Sequence, residues 1–337
     1  MLAAFCPAPG TMELRDVPRP EPGPGQVLVK VHNCGVCGSD LHYYCGGFPV
    51  PTVCPGHEIS GEVTALGAGV DALALGDRVA VEPAITCGRC AGCRTGDYQL
   101  CRDFKIVGTH VPGGFAEYLA MPAYALFKLP AEIDWATAAL TEPLAVGVHG
   151  VRLANVRLGD RVLVLGAGTI GLLAGLAARE AGASEVLITA RHPHQAAAAE
   201  RLGLRPFAEG RDDIAGYAFE HAVDVTIETV GSEADTLNQA IYSTRPGGSI
   251  VILGVFTGAV QINALVVMLK ELRMIGSMMY GRVGTRADFD VAIDVLRRNR
   301  VAIAPVITHR FPLRDIAAGY GAAADKKQKS IKVTVEP

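Results

Sequence analysis

Four thiols stand close together at Cys87-x2-Cys90-x2-Cys93-x7-Cys101, with Gly88, Gly92 and Gly96 in the same stretch. Zinc takes four thiolates tetrahedrally at about 2.3 Å, and short glycine-containing loops can fold such a run round one ion. Unliganded buried cysteines would require this clustering by chance. An iron–sulfur cluster matches the ligand count but not the downstream context. No acid or base is suggested beside the four, so the expectation is a structural zinc that holds a loop together. All nine cysteines, from Cys6 to Cys101, lie in the first third of the chain. That bunching at metal-ligand spacing, in a long chain without an apparent signal segment, points to metal thiolates in a reducing cytoplasm rather than to a disulfide scaffold.

A second set could do chemistry rather than hold structure. Cys37-Gly38-Ser39-Asp40-Leu41-His42 precedes Gly56-His57-Glu58. A catalytic zinc needs a few protein ligands and one open position for water or substrate. Cys37 and His57 are the natural first two. Further on, Gly166-Ala167-Gly168-Thr169-Ile170-Gly171 follows an apolar run and opens a helical one. In that context Gly166 permits a tight turn, Gly168 lets backbone approach a pyrophosphate, and Gly171 allows close helix–strand packing. The next run, Glu185–Thr189, is followed by Ala190-Arg191-His192. The carboxylate that commonly holds a ribose 2′-hydroxyl is missing there, and Arg191 can pair with a 2′-phosphate. The expected cofactor is NADP(H) in preference to NAD(H).

Two kinds of element must position these residues. Residues 1–150 read as β-rich, with short strand-like runs at Gln26–His32, Ile59–Leu66, Arg78–Val81 and Glu117–Met121 separated by Gly/Pro turns. From about Asn155 the pattern becomes strand then helix: Arg161–Leu165, Thr169–Ala181, Glu185–Thr189, Val223–Glu228 and Ser249–Leu253. Alternating βαβ units argue for a doubly wound parallel sheet, so the fold class is α/β with two domains. A helix at Ala287–Arg298 and a terminal strand at Ser330–Val335 return to the first domain. The expected division is 1–154 with 286–337, carrying the cysteine lobe 87–101, and 155–285. A length of 337 residues suits two cores. Net charge is −3 with cations spread along the chain, which indicates no nucleic-acid footprint, and no long uncharged apolar run indicates a membrane span.

The long pattern Gly56-His57-Glu58-x2-Gly61-x5-Gly67-x2-Val70 resembles the signature of the zinc-dependent medium-chain alcohol dehydrogenases. The cysteine lobe, the Cys37 segment, Gly113-Gly114-Phe115-Ala116-Glu117-Tyr118 and the glycine motif extend the likeness over nearly the whole chain. The resemblance implies a GroES-like catalytic domain joined to a Rossmann domain, with two zinc ions per chain. Thr141-Glu142-Pro143-Leu144-Ala145-Val146 puts glutamate where classical members place a zinc-binding cysteine, as in the sorbitol, butanediol, threonine and sugar-acid dehydrogenases. The catalytic zinc would then be held by Cys37, His57 and a carboxylate, with Glu58 and Glu142 both candidates. Ser39 and His42 match the family's hydroxyl–imidazole proton relay, although a turn serine and a surface imidazole are the plainer alternatives. Asp40 would hydrogen-bond His57 and fix its tautomer.

The resemblance also places Thr229 and Gly254, at the ends of later strands, beside the cofactor. Lys332 is either a pyrophosphate contact or a solvated strand lysine. The substrate cleft would draw on Tyr43, Tyr44, Phe48, His110, Met279 and Tyr280. Polyol-type members carry an Arg-Tyr pair where this chain has Met279-Tyr280, which makes the pocket more apolar. The implied substrate is a secondary alcohol or sugar-derived polyol, or the matching ketone, and a homo-oligomer is implied. Two rivals remain: a zinc-free reductase of the same fold, and a non-enzymatic protein that binds zinc and NADPH. The first would lack the Cys37/His57/Glu58 set, and the second would show eroded catalytic residues.

Overall fold

The computed structural model describes residues 1–210 and 213–337, the side chains of Phe219 and Lys326 excepted. The chain divides into two compact units, Met1–Glu142 with Gly281–Pro337, and Pro143–Tyr280.

The first unit is built on a seven-stranded, largely antiparallel sheet. Its centre is Gln26–Gly35, which pairs antiparallel with Glu58–Leu66, Tyr118–Pro122 and Lys332–Glu336. Arg78–Val81 and Leu126–Lys128 extend one side, and Ile307–Pro312 joins the other edge parallel to Lys332–Glu336. Apolar side chains of these strands, among them Val27, Val29, Val31, Ile59, Val79, Val81 and Val335, form one core with Phe115 and Tyr320. The C-terminal strand thus sits beside the strand that leads into Cys37, a placement that matters for the site below.

The second unit holds a six-stranded parallel sheet. Its order is Arg205–Ala208, Glu185–Ala190, Arg161–Leu165, Val223–Glu228, Thr244–Ile252, Arg273–Gly276. In chain order this is 3-2-1-4-5-6, the doubly wound arrangement whose switch point lies between Arg161–Leu165 and Val223–Glu228. Val162, Leu163, Val164 and Leu165 are all fully buried. A strand covered by helices on both faces has no polar face to alternate, which is why that run is continuously apolar.

The junctions differ from the sequence expectation of 154/155 and 285/286. The helix Thr141–Ala154 packs with the parallel-sheet unit: a methyl group on Gly147 would meet Ala174 backbone at 2.8 Å, and one on Gly150 would meet the Leu253 side chain at 3.1 Å. Strand–helix alternation starts only at Arg161, so the pattern had no way to reveal that the preceding helix already belongs to this unit. Among the described residues, no helix is long and apolar enough to cross a membrane.

Candidate metal and dinucleotide sites

The four-cysteine lobe closes on itself. The Sγ atoms of Cys87, Cys90, Cys93 and Cys101 all lie within 4.8 Å of one another, the only such group of three or more His, Cys, Asp or Glu ligands among the described residues. Cys90 and Cys93 are 3.5 Å apart, and Cys87 and Cys93 are 4.0 Å apart. A tetrahedron of sulfurs at about 2.3 Å from one zinc has edges of about 3.8 Å. The donors present therefore fit a single zinc. Cys90 caps the short helix Ala91–Thr95, which Gly96 ends at φ 96°, and Gly88 turns at φ 68°. Donation from the Cys93 amide holds the Cys90 thiol down to about 6, so a thiolate is ready at neutral pH. The lobe is tied to the sheet by Tyr98, whose hydroxyl hydrogen-bonds the buried Glu82 carboxyl and lies 3.4 Å from the Gly281 carbonyl. Neither Tyr98 nor Glu82 was expected from sequence, since a single Tyr and a single Glu carry no spacing signal.

Cys37 lies two residues beyond the end of the central strand and caps the helix Gly38–Tyr44. Its amide donates to Asp40 Oδ2 at 2.9 Å, which fixes the start of that helix. The other oxygen, Oδ1, lies 4.0 Å from His57 Nδ1. Both atoms are buried and have no hydrogen-bond partner. With Nδ1 toward Asp40, Nε2 is the ring nitrogen open to a metal. Burial opposes charge on His57, but Cys37, Asp40 and Glu142 outweigh it and hold its pKa well above the usual imidazole range. A half-buried thiol, a buried imidazole and a buried carboxylate thus act on one another here, donor types suited to zinc, though their ligand atoms do not all lie within 4.8 Å of one another. Glu142 enters from the first turn of the helix Thr141–Ala154 and is 5 % exposed.

Glu58 is differently engaged. Both its oxygens accept from Lys332 Nζ, at 2.6 and 2.7 Å, and the ammonium also donates to the Val36 carbonyl at 2.9 Å. The two side chains are 1 % and 3 % exposed. Burial alone would lower the Lys332 pKa, yet the Glu58 charge raises it, so the pair is ionic. Lys332 is therefore neither a solvated strand residue nor, in this conformation, a pyrophosphate contact. A Cβ at Gly35 would stand 1.9 Å from Glu58 Oε2, so glycine is required where the carboxylate passes the central strand.

Ser39 and His42 share one face of the helix Gly38–Tyr44, three residues apart, and both are half-buried. Phe48 packs on His42 with ring centroids 5.2 Å apart and lies 6.0 Å from Tyr43. Tyr43 shares a 3.5 Å hydrogen bond with Thr109, and Tyr44 packs on Tyr320. His110 is exposed, and its Nδ1 accepts the Ile106 amide at 3.0 Å, a local turn contact. Tyr280 is fully buried, and Met279 holds a positive φ of 56°. That conformation is uncommon for a residue with a side chain and costs on the order of 1 kcal/mol.

The glycine motif takes up the geometry its spacing implies. Gly166 turns at φ 99°, and a Cβ on Gly171 would strike the Gly166 carbonyl at 1.8 Å. Gly168 caps the twelve-residue helix Thr169–Glu180 and faces open space, with Thr169 and Ile170 in its first turn. The Gly166 amide donates to Thr189 Oγ1 at 2.8 Å, and Thr229 Oγ1 donates to the carbonyls of Leu165 and Gly166. Thr229 therefore shapes the loop. Glu228 was missed at the sequence level. Fully buried at the end of its strand, it accepts from the amides of Val230 and Gly231 and from Thr236, while its second oxygen lies where a Cβ on Gly254 would stand. Ala190 ends its strand in the sheet, and Arg191 beyond it is bound by Glu209 at 2.8 Å.

A four-thiol lobe that fits zinc, a neighbouring cysteine, histidine and carboxylate, and a parallel sheet of order 3-2-1-4-5-6 are together features of zinc-dependent, nicotinamide-using oxidoreductases. Family comparison agrees: the alcohol dehydrogenase GroES-like domain matches residues 23–131, and the zinc-binding dehydrogenase family matches residues 169–298. The chain belongs to the zinc-dependent alcohol dehydrogenases, and is an NAD(P)-dependent enzyme of that family. It is 32% identical to a sorbitol dehydrogenase of Bacillus subtilis, covering 100% of this chain and 97% of that protein. It is 33% identical to an L-galactonate-5-dehydrogenase of Escherichia coli, covering 98% of each. A zinc-binding dehydrogenase of Sinorhizobium meliloti, solved bound to NADP, superposes with a TM-score of 0.90 at 34% identity, over 100% of this chain and 99% of that one. The zinc-free and non-enzymatic alternatives fall away with this membership.

Proposed function

We propose that the protein oxidises a secondary alcohol or sugar-derived polyol, or reduces the matching ketone, with NADP(H) favoured over NAD(H) and two zinc ions per chain. In the forward direction a hydride and a proton leave the alcohol, giving ketone, reduced nicotinamide and one proton. The observation that carries the reading is the interaction of half-buried Cys37 with buried His57, whose Nδ1 faces Asp40 Oδ1 at 4.0 Å. The relatives that are sorbitol and L-galactonate-5-dehydrogenases support a polyhydroxylated substrate.

Cys37, His57 and one carboxylate would hold the catalytic ion, which supplies Lewis-acid polarisation of the alcohol oxygen when bound. Lys332 occupies both oxygens of Glu58, which favours Glu142 as the third ligand and leaves Glu58 as an exchange carboxylate. Asp40 holds the His57 ring by its Nδ1 side. Ser39 takes the alcohol proton and His42 passes it toward solvent, along the face they share. Gly168 and the amides that open Thr169–Glu180 bind the pyrophosphate, and Arg191 faces the adenosine ribose. Tyr43, His110, Met279 and Tyr280 are proposed near the substrate, Gly254 and Thr229 near the cofactor, and the protein as a homo-oligomer. The test pairs metal analysis with a panel of polyols, sugar acids and 2,3-diols assayed with both cofactors. Two zincs and turnover of a secondary carbinol with NADP are expected; one zinc, or activity on none of the panel, would overturn the reading.

A further inference from the structure

The strands Glu185–Ala190 and Arg205–Ala208 run parallel with Ala190 opposite Ala208. The next residue on each strand therefore emerges side by side at the carboxyl end of the sheet, where open α/β sheets bind ligands. These residues are Arg191 and Glu209. They form a two-point pair, Nη2 to Oε1 at 2.8 Å and Nε to Oε2 at 3.3 Å, and the Glu209 amide donates to the Ala190 carbonyl at 3.1 Å. Between them and Pro193, Ala196 and Pro206 lies a cleft of about 440 Å³.

We infer that Glu209 is a specificity-determining residue for the adenosine end of the cofactor, restraining the preference of Arg191 for a 2′-phosphate and letting the site accept NAD(H) as well. The inference rests on Arg191 facing the adenosine ribose. Arginine recognises phosphate through its planar fork of donors, and here the Nε and Nη2 side of that fork is already taken by a carboxylate. An incoming 2′-phosphate must displace Glu209 or bind the remaining Nη1 side, and either way it lies beside the negative charge of Glu209. A 2′-hydroxyl meets no such conflict, because a carboxylate is an acceptor for it. The acidic residue absent after Glu185–Ala190 is thus supplied by the neighbouring strand. The pair is solvent-exposed, with side chains 67% and 44% accessible, so little fold stability depends on it and a cofactor can reach it.

The experiment measures dissociation constants of NADPH and NADH by nicotinamide fluorescence, which needs no alcohol substrate, for wild type, Glu209→Gln, Glu209→Ala and Arg191→Ala. Both Glu209 variants should raise the preference for NADPH over NADH by about tenfold, since losing one charge–charge contact of about 1.4 kcal/mol changes affinity by that factor. A ratio within twofold of wild type in both variants would overturn the inference. Arg191→Ala tests the reading beneath it. If that variant binds NADPH as wild type does, Arg191 does not meet the 2′-phosphate. A Glu209→Gln variant that also loses NADH affinity still marks Glu209 as the ribose acceptor. Unchanged affinity for both cofactors in all three variants makes the pair a surface contact and nothing more.

Discussion

At the residue scale, the site depends on which polar atoms are already committed and which are left for chemistry. Asp40 illustrates this: Oδ2 caps the helix that starts at Cys37, so Oδ1 is held toward His57. Ser39 carries no such structural tie, and its proposed part is in proton transfer. Ser39→Ala should lower turnover about a hundredfold, within the usual worth of a positioned proton carrier. Metal analysis of the same variant should still give both zincs; wild-type turnover would remove Ser39 from the relay. Lys332 is the opposite case, a residue buried for the sake of a charge. Lys332→Met leaves the Glu58 carboxyl buried without its partner, and should cost about 3–5 kcal/mol in denaturant unfolding. Adding Glu58→Gln should restore most of that loss. A double variant as unstable as the single one would show that the ion pair is not what the lysine provides.

At the scale of elements, the cysteine lobe is a metal-closed loop whose anchor is Tyr98 on Glu82. Burial pushes the Glu82 carboxyl up to about 8, with Asp288 and Asp290 adding to the rise and Tyr98 and Arg282 opposing it. The unfolded chain titrates this group near 4.5, so the folded state holds its proton over the interval between. Stability from Glu82 is then fully present below about 4.5 and is lost as pH rises through about 8. Glu82→Gln cannot lose a proton. Its stability relative to wild type should climb by a few kcal/mol at most between pH 5 and pH 8.5, as followed by thermal unfolding of the zinc-loaded protein. An equal gap at both pH values would mean that Glu82 stays charged when folded. The helix Thr169–Glu180 shows what spacing alone can convey. Gly166 makes the tight turn and Gly171 the close packing their positions implied, because both are set by backbone geometry within six residues.

At the scale of the molecule, the parallel-sheet unit ends in the edge strand Arg273–Gly276, preceded by the helix Ala264–Leu269. Leu265, Met268 and Leu269 on that helix are all more than half exposed. Among the described residues that edge pairs with no further strand, and such an edge beside exposed apolar side chains is a surface that proteins cover, which supports the proposed homo-oligomer. Sedimentation at micromolar concentration should show a dimer or larger species, and Leu269→Glu should shift it toward the monomer. A monomeric wild type would remove the oligomer from the proposal.

Much of this protein could be deduced one segment at a time, because the deciding interactions are local. The four thiols close round one centre within fifteen residues, the glycine turn lies inside a strand–helix unit, and hydrophobic runs mark most strands of both sheets, though not Leu126–Lys128, Arg205–Ala208, Arg273–Gly276 or Ile307–Pro312. Tertiary structure decided whatever depends on partners distant in the chain. Lys332 meets Glu58 only because the last strand pairs with Gln26–Gly35, and alternation along that strand says nothing of the charge waiting opposite. Arg191 meets Glu209 only because two parallel strands end in register, so the missing acid reappears from a place no local motif inspects. The ends of the two units were likewise set by packing, with Thr141–Ala154 assigned by the side chains it touches rather than by any break in pattern. Local spacing specified which chemistry the residues can perform; long-range pairing specified which of their charges are already occupied.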